Sequence, residues 1–550
     1  MQAFRPKLFQ TLRTYTRGQF GADLSAGITV GVLALPLAMA FAIASGASPS
    51  SGIWTAIVAG LLISIFGGSR VQIGGPTGAF IPILYAIVAT HGVPNMLAAT
   101  FMAGILLVAM GATGLGTLIR FIPVAVVIGF TNGIAIVIFL SQVKDFFGLG
   151  VTDVPAEFFA RMRVLMHYAP TVDGATVAVA IVSVLVILGW GAAIRRLQRA
   201  HARFKILEAI PPQLAVLLVM TPVCALLALP VETIGSRFGG IPQGLPALTV
   251  PLPSIERLGS LISPAITIAL LGAIESLLSA RVADNYVDDR HDPNQELMGQ
   301  GIANILAPFF GGVAATGAIA RTSANVRAGG RTPVAGIIHS VTLLLIVLIA
   351  APLAAYVPIA TLAAIVMVVA VRMGEWHEFK RLRQFSWSYR ITLVATFAMT
   401  VLFDLTVAVE IGMVLASLFF IYRMQTLTML EPLERAGMDD AIRAWSLRGS
   451  LFFGAVAKLE RVFDPLQVRA RVVVFDMHRV LNVDSTGVDW LAGVQRALAK
   501  QGCTLILCGL EMQPQSIAMR SGLYAQVEMA NVCADLSAAL RRGNDILDGN

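Results

Sequence analysis

Long apolar runs dominate the first 430 residues of this 550-residue chain, and they fall into a regular succession. A membrane-crossing helix needs about 20 predominantly apolar residues, fewer where it is broken or sheltered by neighbouring protein. On that measure the sequence predicts spans near 24–45, 51–68, 77–90, 95–113, 121–141, 174–194, 209–230, 262–281, 297–311, 317–328, 333–352, 358–371, 390–404 and 405–422, fourteen in all. Phe403-Asp404-Leu405 leaves only a minimal turn between the last two. From about 440 the pattern changes. Arg471–Asp476 reads as a buried strand, Ser485–Lys500 as an amphipathic helix, Cys503–Cys508 as a second strand and Met512–Ser521 as a second helix, which predicts a small α/β unit. The expected organisation is an N-terminal segment over 1–23 lying at the membrane surface, a membrane region over 24–430 built of two halves (about 24–230 and 262–425), and a soluble domain over 438–550.

Charge agrees with this division. Residues 1–430 hold 27 Lys and Arg against 18 Asp and Glu, whereas residues 431–550 hold 13 and 14, a density near that of soluble proteins. The basic excess therefore belongs to the membrane part, where the positive-inside bias accounts for it; binding to nucleic acid is not expected. With the N-terminus inside, the even-numbered turns carry Arg70, Arg120, the group Arg195, Arg196, Arg199, Arg203 and Lys205, then Arg281 and Arg290, Arg327 and Arg331, and Arg372, Lys380, Arg381, Arg383 and Arg390. The presumed outer loops 142–173 and 231–261 balance Lys144, Arg161, Arg163, Arg237 and Arg257 with Asp145, Asp153, Glu157, Asp173, Glu232 and Glu256. Both termini are expected in the cytoplasm. The four cysteines, Cys224, Cys503, Cys508 and Cys533, lack metal-site spacing. No nucleophile–base pairing, phosphate loop or metal-ligand cluster stands out, so neither an enzyme nor a cofactor is expected.

Two spans are anomalous in the same way. Gly74, Gly75 and Pro76 interrupt the backbone before the run Thr77–Thr90, which at 1.5 Å per residue is too short to cross alone. Gly311 and Gly312 precede a second short helix expected to start near Thr316, and Thr77-Gly78-Ala79 recurs there as Thr316-Gly317-Ala318. The two lie third and tenth in the series, matching places in two seven-span halves. Paired short, Gly-interrupted segments point to the binding site of an inverted-repeat transporter. If the halves are inverted, two helix N-termini with unpaired N–H groups meet near the midplane and make an anion site. The plain alternative is glycine serving close helix packing.

Two charges inside the spans sharpen the picture. Arg321, one turn into the second short helix, could hold a carboxylate in two parallel hydrogen bonds; its loss would then weaken dianion binding by about 3–5 kcal/mol, more than a hundredfold. The alternative is that it snorkels to the cytoplasmic face like Arg327 and Arg331. Glu275 lies among Leu, Ile and Ala, where desolvation disfavours a charged acid, making it a candidate proton carrier. A static pair with Arg321, or a cation site built with Ser276 or Thr267, are the alternatives. The expected substrate contacts are Thr77, Gly78, Ala79, Phe80, Gly317, Ala318, Ala320, Arg321 and Thr322, with Phe41 as a wall. Asn132 and Asn304 read as interhelical hydrogen-bonding groups; His91 and His339 are assigned no catalytic role. In the soluble part, Asp484-Ser485-Thr486-Gly487 opens a helix. It reads as a simple cap, or as a regulatory phosphorylation or ligand site at Ser485.

Several stretches carry a family resemblance: LALPLAMAFAIASG at 33–46, GGPTGAF at 74–80, QELMGQGIANILAPFFGGVAATGAIARTSANVRAGG at 295–330 and VDSTG at 483–487. Together the chain resembles the SulP family of anion permeases, bacterial relatives of the solute carriers that include pendrin and prestin, with the STAS domain that follows their membrane region. The resemblance implies a polytopic α-helical membrane protein of fourteen spans, arranged as two intertwined seven-span inverted repeats divided into core and gate domains. It also implies a cytoplasmic α/β STAS domain, a homodimer, and a small anion held between the half-helices of spans 3 and 10. The family's span-10 arginine falls on Arg321 and its span-8 acidic position on Glu275. Its Leu-Pro-Gln-Gly is here Leu35-Pro36-Leu37-Ala38, and the missing glutamine counts against a sulfate-type site. GAIARTSANVRAGG and ALLGAIESLL are most similar in wording to the bacterial dicarboxylate-transporting branch, and glutamate in place of aspartate in span 8 favours protons over sodium. The expected activity is proton-coupled symport of a C4-dicarboxylate such as fumarate or succinate in the bacterial inner membrane. An uncoupled exchanger or anion conductor is the alternative, and a sensor signalling to the soluble domain a third. A regulatory protein or ligand at the STAS domain is a further expectation.

Overall fold

The computed structural model describes residues 4–117, 123–151, 154–200, 210–241, 244, 246–252, 255–287, 289–403, 405–434 and 438–549. Arg120, Asp153, Arg203, Lys205 and Asp404 lie outside these, as do the side chains of Arg199 and Glu256. The chain divides into two compact units, Met1–Met413 and Val414–Asn550.

A helix stands at each of the fourteen expected segments. Among the described residues, eight are long and apolar enough to cross a membrane by themselves; Gly78–His91, Pro212–Leu226, Trp387–Leu402 and Ile411–Leu427 are shorter apolar helices. Several helices begin earlier than hydropathy indicates. The first runs over Arg17–Ala44 behind a capping box, in which Thr16 accepts from the Gln19 amide and Gln19 accepts from the Thr16 amide. The ninth runs over Pro293–Leu306, with Asp292 accepting from the Asn294 and Gln295 amides. Two very short strands, β1 (Gly74–Gly75) and β2 (Thr316–Gly317), also belong to this unit.

Helix pairing shows how the halves interlock. The helix Arg17–Ala44 packs on Val334–Ala354 of the second half, and its counterpart Ile255–Val287 packs on Val93–Ala112 of the first. In the same exchange, Val124–Ser141 packs on Trp387–Leu402, and Ile359–Met373 on Gly174–Ala200. Close approach depends on glycine. A Cβ at Gly27 would collide with the Ala335 carbonyl and Ile338, and one at Gly104 with the backbone of Asn304 and Ile305.

The C-terminal unit is a five-stranded sheet in the order β3 (Met429–Leu433), β4 (Ile442–Leu451), β5 (Val472–Val483), β6 (Thr504–Cys508), β7 (Val532–Cys533), with β3 antiparallel to β4 and the other neighbours parallel. Alternation along the strands serves two faces. Val473, Phe475, Leu505 and Leu507 pack with the helix Ser485–Ala499, whereas Val472, Val474, Ile506 and Cys508 pack beneath Leu536–Leu547. This is the α/β layering expected from the sequence.

Candidate functional site at the crossing of two half-helices

The two glycine-bearing segments meet. β1 and β2 form a two-stranded antiparallel ribbon that pairs Gly74 with Gly317, and Gly75 with Thr316. Beyond it Gly78–Phe80 forms a 3-10 turn leading into Ile81–His91, and Ile319–Arg327 forms the second half-helix. Antiparallel pairing sends the two helices off in opposite directions with their N-termini at the ribbon. The second half-helix was expected to begin near Thr316. It begins at Ile319, because Thr316 and Gly317 are extended in the ribbon and Ala318 is the N-cap.

Neither N-terminus is capped by a side chain. Thr77 occupies the N-cap of the first with extended backbone, the position from which a threonine hydroxyl normally accepts from the helix. Its hydroxyl instead donates to Glu275 Oε2 at 2.9 Å. Ala318 has no group with which to cap. Among the described residues no acceptor meets the amides of Gly78, Ala79, Ile319 or Ala320. Ile319 is 40% exposed and Ala320 is also exposed. Phe41 packs beside Gly78, and Phe80 is buried against Gly272.

The helix Ile255–Val287 holds the ribbon from one side. Ser276 Oγ and Thr316 Oγ1 lie 2.6 Å apart, Thr316 Oγ1 donates to the Gly272 carbonyl at 3.2 Å, and Ser276 accepts from the Gly317 amide at 3.4 Å. Asn304 clamps the strand's approach by exchanging two hydrogen bonds with the Ala315 backbone, both 2.8 Å. Asn132 donates within its own helix to the Ile128 carbonyl. Both asparagines thus serve the backbone.

Arg321 is placed differently from the sequence expectation. Arg321 is 2% exposed, and its guanidinium donates to the Gly74 carbonyl, at 3.4 Å, and to the Pro76 carbonyl. It neither snorkels nor stands open to receive a carboxylate in two parallel bonds. It clamps one half-helix to the approach of the other. No ion pair joins it to Glu275 among the described residues, so the static pair is not formed. Gly75 makes the clamp possible, since φ there is +144° and a Cβ would strike the guanidinium. Thr322, also expected at the site, is turned inward; its hydroxyl accepts from the Ile73 amide at 3.1 Å and from Ser279 at 3.3 Å. Thr267 donates to the Ser263 carbonyl in its own helix.

Sequence reasoning missed two buried acids, one at the approach to this crossing and one beyond the C-terminal end of the second half-helix. Glu296 is fully buried and accepts from the Gly68 and Ser69 amides and from the Gln72 and Gln300 side chains. It fixes the segment leading to Gly74. Asp23, also fully buried, accepts from Tyr15, from the Arg331 and Thr332 amides and from the Thr332 hydroxyl. Each lies just outside the hydropathy-based span limit, and a polar residue at a span edge was the available signal. In the soluble unit, Asp484 Oδ1 accepts from the Gly487 amide at 2.8 Å and Oδ2 from the Phe453 amide at 3.1 Å, which is the cap; Ser485 is exposed at the first helical position.

Two interlocked halves crossing at a pair of uncapped half-helices define a polytopic membrane transporter fold. Comparison with known proteins agrees. The chain matches the sulfate permease family over residues 20–396 and the STAS domain over 438–539. It is 39% identical over 521 residues to YvdB of Bacillus subtilis, covering 93% of this chain and 96% of that protein. It is 30% identical over 543 residues to the bicarbonate transporter BicA of Synechocystis, covering 94% and 93%. The structure of the murine anion transporter Slc26a9 superposes with a TM-score of 0.86 at 18% identity, over 99% of this chain and 94% of that one. The chain belongs to the sulfate permease family and is an anion transporter of that family, with a C-terminal STAS domain.

Proposed function

We propose that the chain is a secondary active transporter that carries a small dianion by alternating access, held between the N-termini of Gly78–His91 and Ile319–Arg327. The carrying observation is that both N-termini lack side-chain caps while Thr77, the one residue able to cap, donates to Glu275. Free amides at two facing helix ends attract an anion through hydrogen bonds and dipoles. Thr77, Gly78, Ala79, Gly317, Ala318 and Ala320 are its proposed contacts, with Phe41 and Phe80 as walls. Arg321 acts from behind as a fixed cation that positions the ribbon. Glu275 is the coupling acid: protonated, it brings a proton alongside the anion, and its bond to Thr77 ties that proton to the half-helix. The substrate is a C4-dicarboxylate such as fumarate or succinate, by the resemblance of residues 317–330 and 269–278 to that branch. The charge asymmetry of the loops supports cytoplasmic termini in a bacterial inner membrane, and the family resemblance supports a homodimer.

A second reading is uncoupled exchange or conduction of bicarbonate or sulfate, the anions in the names of two relatives, the bicarbonate transporter BicA and the putative sulfate transporter YvdB. Purified protein in sealed vesicles, given radiolabelled fumarate, sulfate or bicarbonate and an imposed pH gradient, separates the two. Fumarate should accumulate when the outside is acidic. Exchange without accumulation, or gradient-driven uptake of sulfate or bicarbonate alone, would overturn the reading.

A further inference from the structure

The unit Val414–Asn550 carries the end of the last apolar helix together with the sheet, so its own topology fixes which end of the sheet meets the bilayer. β3 begins at Met429, directly after that helix, and runs away from it. β4 is antiparallel to β3 and returns; β5 runs parallel to β4. Met429 faces Arg448, yet β4 continues to Leu451, opposite Val483 of β5. At about 3.3 Å per residue, this carries both strands about 10 Å back past the start of β3. There they lie alongside the helix. Thr428 Oγ1 donates to the Ser450 carbonyl at 2.9 Å, and Lys458 donates to the carbonyls of Gln425, Thr426 and Thr428 at 3.4, 3.3 and 2.7 Å. A Cβ at Gly454 would lie 3.1 Å from the Ile421 side chain, and Ile421 stands about 9 Å up the helix from its end at Leu427. Val414, Leu418, Phe420 and Tyr422 are exposed on this helix, an apolar surface that closes on a tyrosine as at a bilayer interface.

Three large apolar side chains project from this end of the sheet: Phe453 is 61% exposed, Leu481 77% and Met512 87%. Single exposed apolar residues are ordinary, but a group of them at one end marks an interaction surface. The backbone holds the three together. The Phe453 amide donates to Asp484 Oδ2 at 3.1 Å, and Gln513 exchanges two hydrogen bonds with the Val483 backbone, at 2.9 and 2.8 Å. A register shift between Gly449 and Ser450 leaves Leu481 as the extra residue of a bulge, an irregularity that re-aims a side chain. Arg423 and Arg479 are exposed at the same end and have no ion-pair partner among the described residues, whereas the acid there, Glu511, pairs with His478 at 3.5 Å.

We propose that Phe453, Leu481 and Met512 insert into the interfacial layer of the leaflet that faces the soluble unit, so that this unit rests on lipid, with Arg423 and Arg479 turned to anionic headgroups. Lipid is the occupant because the patch lies at the level that the exposed apolar surface of the last helix already gives to the bilayer. The proposal concerns the soluble unit alone and stands apart from the identity of the transported anion.

The test uses the full chain in nanodiscs of mixed zwitterionic and anionic lipid. Cys533→Ser removes the half-buried native cysteine and leaves Cys224, Cys503 and Cys508, all buried. In that background Leu481→Cys, Met512→Cys and Leu466→Cys each receive a nitroxide label. Leu466 is the control, an exposed leucine in the turn that precedes β5, at the opposite end of the sheet. Power-saturation electron paramagnetic resonance reads collisions of the label with oxygen, which dissolves in lipid, and with a neutral nickel chelate, which does not. At Leu481 and Met512 nickel collisions should fall about tenfold below those at Leu466, an exclusion of about 1.4 kcal/mol, while oxygen collisions rise. Nickel collisions at the Leu466 level at either site mean open water and overturn the proposal. Loss of both kinds of collision also overturns it, because a protein surface, from a second chain or another partner, would then cover the patch.

Discussion

Replacing Arg321 with Ala should loosen the crossing of the half-helices before it affects the anion directly. The residue is 2% exposed and its guanidinium donates to two carbonyls, of Gly74 and Pro76. Hydrogen bonds from a charged donor contribute about 1.5–3 kcal/mol each, so the pair is worth roughly 3–6 kcal/mol. Both carbonyls would stay buried without that donor, at about 1–3 kcal/mol apiece. Relief from burying a cation offsets several kcal/mol of this. The balance is a destabilisation of about 3 kcal/mol. Domains of 150–250 residues lose about 2–4 °C of Tm per kcal/mol, and longer chains lose less; a fall of roughly 5 °C is expected in thermal unfolding of detergent-purified protein. Lys at this position keeps the charge but reaches the carbonyls as a single point, so it should recover only part of the loss. An Arg321→Ala protein with the wild-type Tm and anion binding weakened more than a hundredfold would refute the clamp and restore the guanidinium as a direct ligand.

The same geometry sets four further outcomes. Glu275→Gln should abolish pH-driven accumulation while leaving substrate exchange partly intact, since an amide can still bond Thr77 but cannot cycle a proton; accumulation at the wild-type level in vesicles would remove Glu275 from coupling. Gly75→Ala should give little monodisperse protein on size-exclusion chromatography, because φ is +144° and the added methyl meets the Arg321 guanidinium; a normal profile would mean that the ribbon is not required for assembly. Asp484→Ala should lower the unfolding temperature of the soluble unit by removing a cap of about 1 kcal/mol and freeing the Phe453 amide, which differential scanning fluorimetry would detect; an unchanged transition would count against the cap's importance. A chain ending at Leu430 should still bind its anion, because every residue of the candidate site lies in the compact unit Met1–Met413; a folded protein of that length without binding would tie the site to the STAS domain.

Much of this was legible in the sequence because membrane helices announce themselves by composition. The half-helices were legible for a different reason: glycine interrupts the apolar runs at matching places, and Thr-Gly-Ala is repeated. The backbone path beyond each copy of that repeat was hidden. In one half Thr77 borders the helix directly, whereas in the other Thr316 and Gly317 form a strand and the helix waits for Ile319. A two-residue ribbon containing three glycines has no side-chain alternation to read. The partners of Arg321 were hidden for a related reason, since both are backbone carbonyls and every residue has one. Asp23 and Glu296 were lost to the span limits. Hydropathy trims a helix to its apolar portion, and the hydrogen bonds that satisfy a buried acid come from loop amides at Gly68, Ser69, Arg331 and Thr332.

Glu296 and the missing caps belong to one arrangement. Elsewhere in the membrane unit Thr16, Ser48, Asp292 and Ser386 accept from the opening amides of their helices, whereas the helices that open behind Gly92, Pro123, Pro211, Pro333 and Pro358 have no side-chain cap because those residues carry no group able to accept. At the crossing, where Thr77 stands in the capping position, the hydroxyl turns to a carboxylate on another helix. Leaving a helix end uncapped costs about 1 kcal/mol. Here it occurs twice, on opposite strands of one ribbon. The surroundings offset that cost by over-determining the backbone: Glu296 holds the approach to β1, Asn304 the approach to β2, and Arg321 spans the two. On the proposed reading, rigid support beneath these amides would leave them free to take an incoming anion, and the first half-helix would register protonation of Glu275 through Thr77.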